Sequence, residues 1–139
     1  LAQYWAGILG LGFIGGADQV AGDGLGQHLE DLDGTHWAAL NKHPEVEVVG
    51  GSSRDEGRRE RFATRAGAKT YADWRDLLAA EPLDIVSIAT YTPVHEEITL
   101  ACVEAGVKAI YCEKPVAPPV APPQPRPAPG PDRQYAARP

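Results

Sequence analysis

Tyr4-Trp5-Ala6-Gly7-Ile8-Leu9-Gly10-Leu11-Gly12-Phe13-Ile14-Gly15 decides the fold: an apolar run, Tyr4 to Leu9, passes directly into glycines spaced Gly10-x-Gly12-x-x-Gly15. An apolar run of this length that stops at glycines reads as a strand entering a tight turn, the opening of a βα unit. In that setting Gly10 makes the turn, Gly12 lets the backbone approach a pyrophosphate, and Gly15 allows helix to pack closely on strand. The helix that should open at Gly15, with its phosphate-holding amides, is not legible. Ala17 to Asp33, rich in Gly and Asp and weakly periodic, reads instead as an inserted loop, with only a short turn near Gln27 to Leu32. It is either a lid over a nucleotide or a plain surface loop, since long loops cost little closure entropy. A flexible Gly-rich turn without a ligand is the other reading of the triplet.

Downstream, strand and helix alternate. Thr35 caps a helix over His36 to Lys42, and Pro44 stops it. Val46 to Gly51 is a second strand ending at Ser52-Ser53-Arg54. Asp55 to Arg65 is a charged helix with Phe62 and Ala63 inward and Gly67 as its C-cap, and Lys69 to Tyr71 is a short third strand. Ala72 to Ala80 carries Trp74, Leu77 and Leu78 on one helical face. Leu83 to Thr90 is nearly continuous in apolar residues, as a strand covered on both faces is. A helix from His95 to Glu104, ended by Gly106, leads to a fifth strand at Lys108 to Cys112. Such alternation predicts a Rossmann-type doubly wound parallel α/β sheet spanning 1–115, with the insertion at 17–33.

Composition bounds the rest. A chain of 139 residues with 43% hydrophobic and 23% charged residues fits one soluble domain. A formal net charge of -6 argues against nucleic acid as a partner. Arg58, Arg59 and Arg61 alternate with Glu56 and Glu60 and read as a solvated helix face. No apolar run reaches the roughly 20 residues of a membrane helix, so no membrane partner is expected. Two cysteines and no secretory signal suggest the cytoplasm and no metal site; Cys102 and Cys112 read as packing residues. His28 and His43 have no partner legible in the sequence. The chain starts at Leu1 and contains no Met, which points to sequence upstream. From Val116 it turns proline-rich, and 116–139 is expected to be extended or disordered.

Where a dinucleotide-binding unit places an acid for the ribose 2′-hydroxyl, at the end of the second strand, stand Ser52, Ser53 and Arg54. A hydroxyl pair and a guanidinium suit a 2′-phosphate, which favours NADP over NAD, with a plain surface charge as the alternative for Arg54.

Ile88-Ala89-Thr90-Tyr91-Thr92-Pro93-Val94-His95, followed by a helix and then Ala109-Ile110-Tyr111-Cys112-Glu113-Lys114-Pro115, resembles the N-terminal domain of the Gfo/Idh/MocA family of oxidoreductases. The resemblance covers about Trp5 to Ala117. It implies that Lys114 is catalytic, reaching the nicotinamide and the reacting substrate hydroxyl, and that the proline often found cis in the family is Pro115. It also implies that Glu113 borders the nicotinamide ribose. The loop Gly10 to Gly15, Phe13 and Ile14 included, would contact cofactor, as would Ala89, Thr90, Thr92, Pro93 and His95 after the fourth strand. His36 matches a histidine of the family's first helix, with a capping or packing role. The implied substrate is a sugar, inositol or related polyol hydroxyl.

In that family Glu-Lys-Pro leads on to a substrate domain, whereas here a proline-rich segment follows. This change suggests a truncated or frame-shifted reading of a longer gene, inactive alone, or a linker to a lost partner. Two rival readings stand: a noncatalytic nucleotide-binding or interaction module whose tail is a polyproline ligand, and a relative that cleaves glycosides through transient nicotinamide chemistry. A homo-oligomer is left open.

Overall fold

The structure, a computed structural model, describes residues 2–19 and 34–116. Most of the predicted insertion, the turn near Gln27, His28, and the tail beyond Val116 lie outside the described residues. Five strands, β1 (Tyr4–Leu9), β2 (Val46–Ser52), β3 (Lys69–Tyr71), β4 (Ile85–Ile88) and β5 (Ala109–Cys112), form one sheet in the order β3-β2-β1-β4-β5. Every neighbouring pair is parallel. The helices are α1 (Phe13–Gly16), α2 (His36–Lys42), α3 (Glu56–Ala66), α4 (Trp74–Ala80) and α5 (His95–Glu104), with a 3-10 turn at Thr92–Val94 before α5.

The chain runs outward from β1 to β3, then crosses back to β4 on the other side of β1. The sheet is therefore doubly wound, with a topological switch between β1 and β4, where such folds open a ligand crevice at the strands' carboxyl ends. Neighbouring residues of β1 show the two layers. Ile8 packs with Leu11 and Phe62, joined by Trp37 and Leu40, under α2 and α3. Leu9 packs with Leu77, Val86, Ile88, Ile98 and Cys102 under α4 and α5. Burial also pushes the Cys102 thiol up to about 11, which makes it an inert packing group.

Local chemistry sets the helix ends. Thr35 Oγ1 accepts the Ala38 amide, Asp55 Oδ1 the Arg58 amide and Asp73 Oδ1 the Arg75 amide, satisfying first-turn donors. Gly67, at φ 64°, closes α3 in the left-handed region. Two elements differ from the expectation by two residues at an end: α4 begins at Trp74, because Asp73 is its cap, and β4 spans only Ile85–Ile88; β2, α3 and β5 differ by one. One expectation is overturned. A helix does open in the glycine loop, as the single turn α1, ended by Ala17 in the left-handed region at φ 55°. Four residues are too few to leave a 3.6-residue periodicity in the sequence.

Candidate functional site

A cleft of about 370 Å³ opens at the switch point. Its floor is the glycine loop, Gly10 to Gly12, and its walls are the end of β2 (Ser52, Ser53, Arg54), the first turn of α3 (Arg58) and the residues after β4 (Ala89, Thr90, Tyr91). Trp74, Arg75 and Glu97 close the far side.

The glycines are required by geometry. Gly10 sits at φ 98°, and a Cβ there would meet the Ala89 carbonyl oxygen at 2.5 Å. A Cβ on Gly15 would lie 1.9 Å from the Gly10 carbonyl oxygen, so the α1 turn folds back onto the loop only without a side chain. Gly12 is open except toward Arg58, whose Nη1 would stand 3.1 Å from an added Cβ. The backbone at Gly12 is thus bare on the cleft side, with a guanidinium above it. On the wall, Thr90 Oγ1 is buried with no hydrogen-bond partner, a cost that a ligand polar group would relieve.

Charge in the cleft is mostly positive on the β2 side. The Arg54 guanidinium lies over the Tyr91 ring, 5.6 Å from its centroid, spanning the mouth. Arg58 approaches Asp18 at 3.7 Å, and Arg61 binds the same carboxylate through two bonds of 2.8 Å. Asp18 is 1% exposed, so its charge is offset by this fork, which ties the chain after α1 onto α3. The solvated-face reading of the arginines is therefore incomplete: Arg58 and Arg61 stay open to water but are also engaged. Arg58 and Arg61 turn to Asp18, and Arg59 donates to the Ser53 and Arg54 carbonyls, fixing the turn after β2. Arg65 similarly donates to the Gly16 carbonyl. The cleft's two carboxylates, Asp73 and Glu97, are both engaged by Arg75.

A second cluster lies at the tip of β5. Lys114 is exposed, and the Lys114–Pro115 peptide is cis. One Glu113 oxygen accepts from His36 Nε2 at 2.8 Å and the other from the Lys114 amide at 3.3 Å. The His36 hydrogen bond, ahead of the Lys114 contacts and against desolvation, holds the Glu113 carboxyl below the usual glutamate range. His36 Nδ1 meets Ser87 Oγ at 2.5 Å, and the Tyr111 ring packs edge-on against the imidazole. His36 is thus neither a cap nor a plain packing residue, since Thr35 supplies the cap.

Of the residues expected at a cofactor, Gly10, Gly12, Ser53, Arg54, Ala89 and Thr90 share the cleft. Phe13, Ile14, Gly15, Thr92, Pro93, His95, Glu113 and Lys114 do not line it. His95 stands behind the cleft: it is 1% exposed, with Nε2 at 2.8 Å from the Thr90 carbonyl and Nδ1 at 2.9 Å from the Pro115 carbonyl. It joins the cleft wall to the β5 corner from behind. A neutral imidazole has one N–H and both neighbours are acceptors, so the ring donates to one carbonyl at a time unless it gains a second proton. Sequence reading missed Arg58 and Tyr91. Arg58 lies three residues after the Asp55 cap, in a helix that starts at the sheet's carboxyl edge, and that position was the available signal. Among the described residues no group of three or more His, Cys, Asp or Glu could hold a metal, and no helix is long and apolar enough to cross a membrane.

The chain is 44% identical over 50 residues to an inositol 2-dehydrogenase of Klebsiella pneumoniae, a stretch that is 36% of this chain and 14% of that enzyme. It is 36% identical over 72 residues to inositol 2-dehydrogenase 3 of Saccharopolyspora erythraea, 52% of this chain and 21% of that enzyme. The WlbA dehydrogenase of Chromobacterium violaceum, solved with NADH and UDP-GlcNAcA, superposes with a TM-score of 0.64 at 26% identity, over 82% of this chain and 28% of that one. The matched region thus spans less than a third of the length of these relatives. Residues 6–124 match the Gfo/Idh/MocA family, an oxidoreductase family with an NAD-binding Rossmann fold, and the chain belongs to it.

Proposed function

We propose that this chain is the nucleotide-binding part of an NAD(P)-dependent oxidoreductase acting on a hydroxyl of a sugar, inositol or related polyol, with NADP preferred. The observation that carries the reading is the cleft at the switch point, bare at Gly12 and bounded at the end of β2 by Ser53, Arg54 and Arg58. The fit to a dinucleotide is physical. The glycine loop gives a pyrophosphate close backbone approach, the orphaned Thr90 hydroxyl offers a polar contact, and Arg54 with Arg58 offers charge-assisted donors to a 2′-phosphate. Asp73 and Glu97, the carboxylates that would repel such a phosphate, are held by Arg75 on the far wall.

Bound dinucleotide would supply the hydride acceptor or donor. Lys114, exposed at the β5 tip, is the residue we assign to the reacting hydroxyl, where a cation stabilises a developing alkoxide or assists its proton transfer. Glu113 borders the same corner, and residues 1–115 form the nucleotide-binding unit. The substrate class rests on the inositol dehydrogenases and the sugar-nucleotide dehydrogenase to which the chain is similar. Turnover requires a wall opposite Lys114 to orient the substrate, and no such wall stands among the described residues. The chain alone is therefore expected to bind cofactor without reducing it.

Calorimetric titration of NADP and NAD into the chain tests this. NADP is expected to bind more tightly, with Arg54→Ala weakening it about tenfold, the scale of lost hydrogen bonds to a charged group, and Gly12→Val abolishing it. Equal affinity for both cofactors and no effect of Arg54→Ala would overturn the NADP preference. Binding of neither would overturn the cofactor site, and steady NADP reduction with inositol or glucose would overturn the expectation of inactivity.

A further inference from the structure

Ser87, His36 and Glu113 form an unbroken polar chain through the layer beneath α2. Ser87 is 3% exposed and His36 7% exposed, and the chain emerges at Glu113 beside Lys114. Buried polar groups are costly unless satisfied, and here each link satisfies the next. The direction of donation is fixed from the outer end. An ionised Glu113 only accepts, so His36 Nε2 donates to it, and a neutral ring then accepts from the Ser87 hydroxyl at Nδ1. The hydrogen bond from Ser87 selects the tautomer that points an N–H at Glu113. A Ser–His–Glu set could suggest a hydrolytic triad, but Ser87 is 3% exposed, too buried to meet a substrate.

We propose that His36 is the positioning residue of the Glu113–Lys114 corner, fixing the Glu113 carboxylate while Ser87 fixes the imidazole. Glu113 Oε2 accepts the Lys114 amide at 3.3 Å, so a fixed carboxylate also fixes the start of the Lys114 backbone. The Tyr111 ring, edge-on at 4.9 Å, limits rotation of the imidazole. His36 is carried by α2, and it thereby joins that helix to the tip of β5, across the sheet from the strands α2 itself covers. The importance of this corner for chemistry rests on the assignment of Lys114 above, but the positioning itself does not.

The test uses the full chain with His36→Ala, His36→Gln and Ser87→Ala. In the parent chain the Glu113 side-chain methylenes should show NMR couplings of a single rotamer. His36→Ala should average them and move the carboxyl titration upward, toward that of an ordinary glutamate. Ser87→Ala should do the same more weakly. His36→Gln, whose amide can donate to Glu113, should keep the rotamer. Affinity gives a second readout: His36→Ala should weaken NADP about fivefold, the size of one such hydrogen bond, and leave adenosine 2′,5′-bisphosphate within twofold. Unchanged Glu113 couplings in His36→Ala would overturn the proposal, and so would equal losses for both ligands, the mark of a merely structural residue. If the parent chain binds neither ligand, the cofactor reading fails while the couplings still decide this one. Should His36→Ala not fold, Ser87→Ala and His36→Gln carry the test.

Discussion

The cleft at the ends of β1, β2 and β4 and the corner at the tip of β5 are built in opposite ways. The cleft is walled by the ends of β2 and β4 and the starts of α3 and α4, its arginines and carboxylates are engaged, and the glycine loop beneath it tolerates no side chain at Gly10 or Gly15. Among the described residues, the corner is supported from behind. His36 holds Glu113, His95 reaches the Pro115 carbonyl, and Lys114 projects outward, exposed. The difference separates binding from chemistry. A nucleotide half-site can be complete within one sheet, whereas a lysine meant for a substrate needs a second surface to hold that substrate against it.

The harshest way to break the cleft and spare the corner is Gly15→Val. A side chain whose first carbon would lie 1.9 Å from the Gly10 carbonyl oxygen forces the loop open. Such overpacking should cost ~3 kcal/mol or more, measured by urea unfolding, with NADP binding lost even where the protein stays folded. Asp18→Ala comes next. It strips Arg61 of its bidentate partner and Arg58 of a near one. Roughly 2–3 kcal/mol is expected, below the cost of breaking a fully buried pair because both guanidiniums reach solvent. A loss under ~0.5 kcal/mol would mean that the segment after α1 is not held by this fork.

Acid should act more gently, and at both ends of the sheet. Glu81 is held below its usual range by hydrogen bonds from Lys69 and Tyr71, and Glu113 by the one from His36. A carboxylate depressed in the folded state stabilises above its unfolded pKa and loses that contribution as pH falls through the folded value. Stability should therefore be level above about pH 5 and decline below the glutamate reference near pH 4.3, with a shallower decline in His36→Ala. A decline of unchanged steepness in that variant would contradict the linkage at Glu113. Smallest of all, Lys114→Ala should alter NADP affinity less than twofold. A larger loss would place Lys114 itself, and not only Glu113, against the nucleotide.

Much of this was legible because the residues that define it act locally. The apolar runs of β1 and β4, the caps Thr35 and Gly67, and the spacing of Trp74, Leu77 and Leu78 each report on their own segment. The glycine triplet also did, since a turn that excludes Cβ leaves a mark wherever it occurs. What was hidden depends on partners far along the chain. Arg61 meets Asp18 at a separation of 43 residues, and His36 meets Glu113 at 77. No pattern within α3 distinguishes an arginine facing water from one facing a buried carboxylate. For His95, position after β4 indicated nearness to the cleft but not direction, and its ring turned inward to two carbonyls. The helical turn α1 escaped notice because four residues ending in glycine leave no period to read.

Amide chemical-shift mapping of the full chain during titration with NADP tests the central claim most directly. The account predicts that shifts concentrate on Gly10 to Gly16, Ser53 to Arg58 and Ala89 to Tyr91, with smaller changes at Glu113 and Lys114. Shifts confined to the groove between α4 and α5, or absent from the glycine loop at saturating NADP, would contradict it.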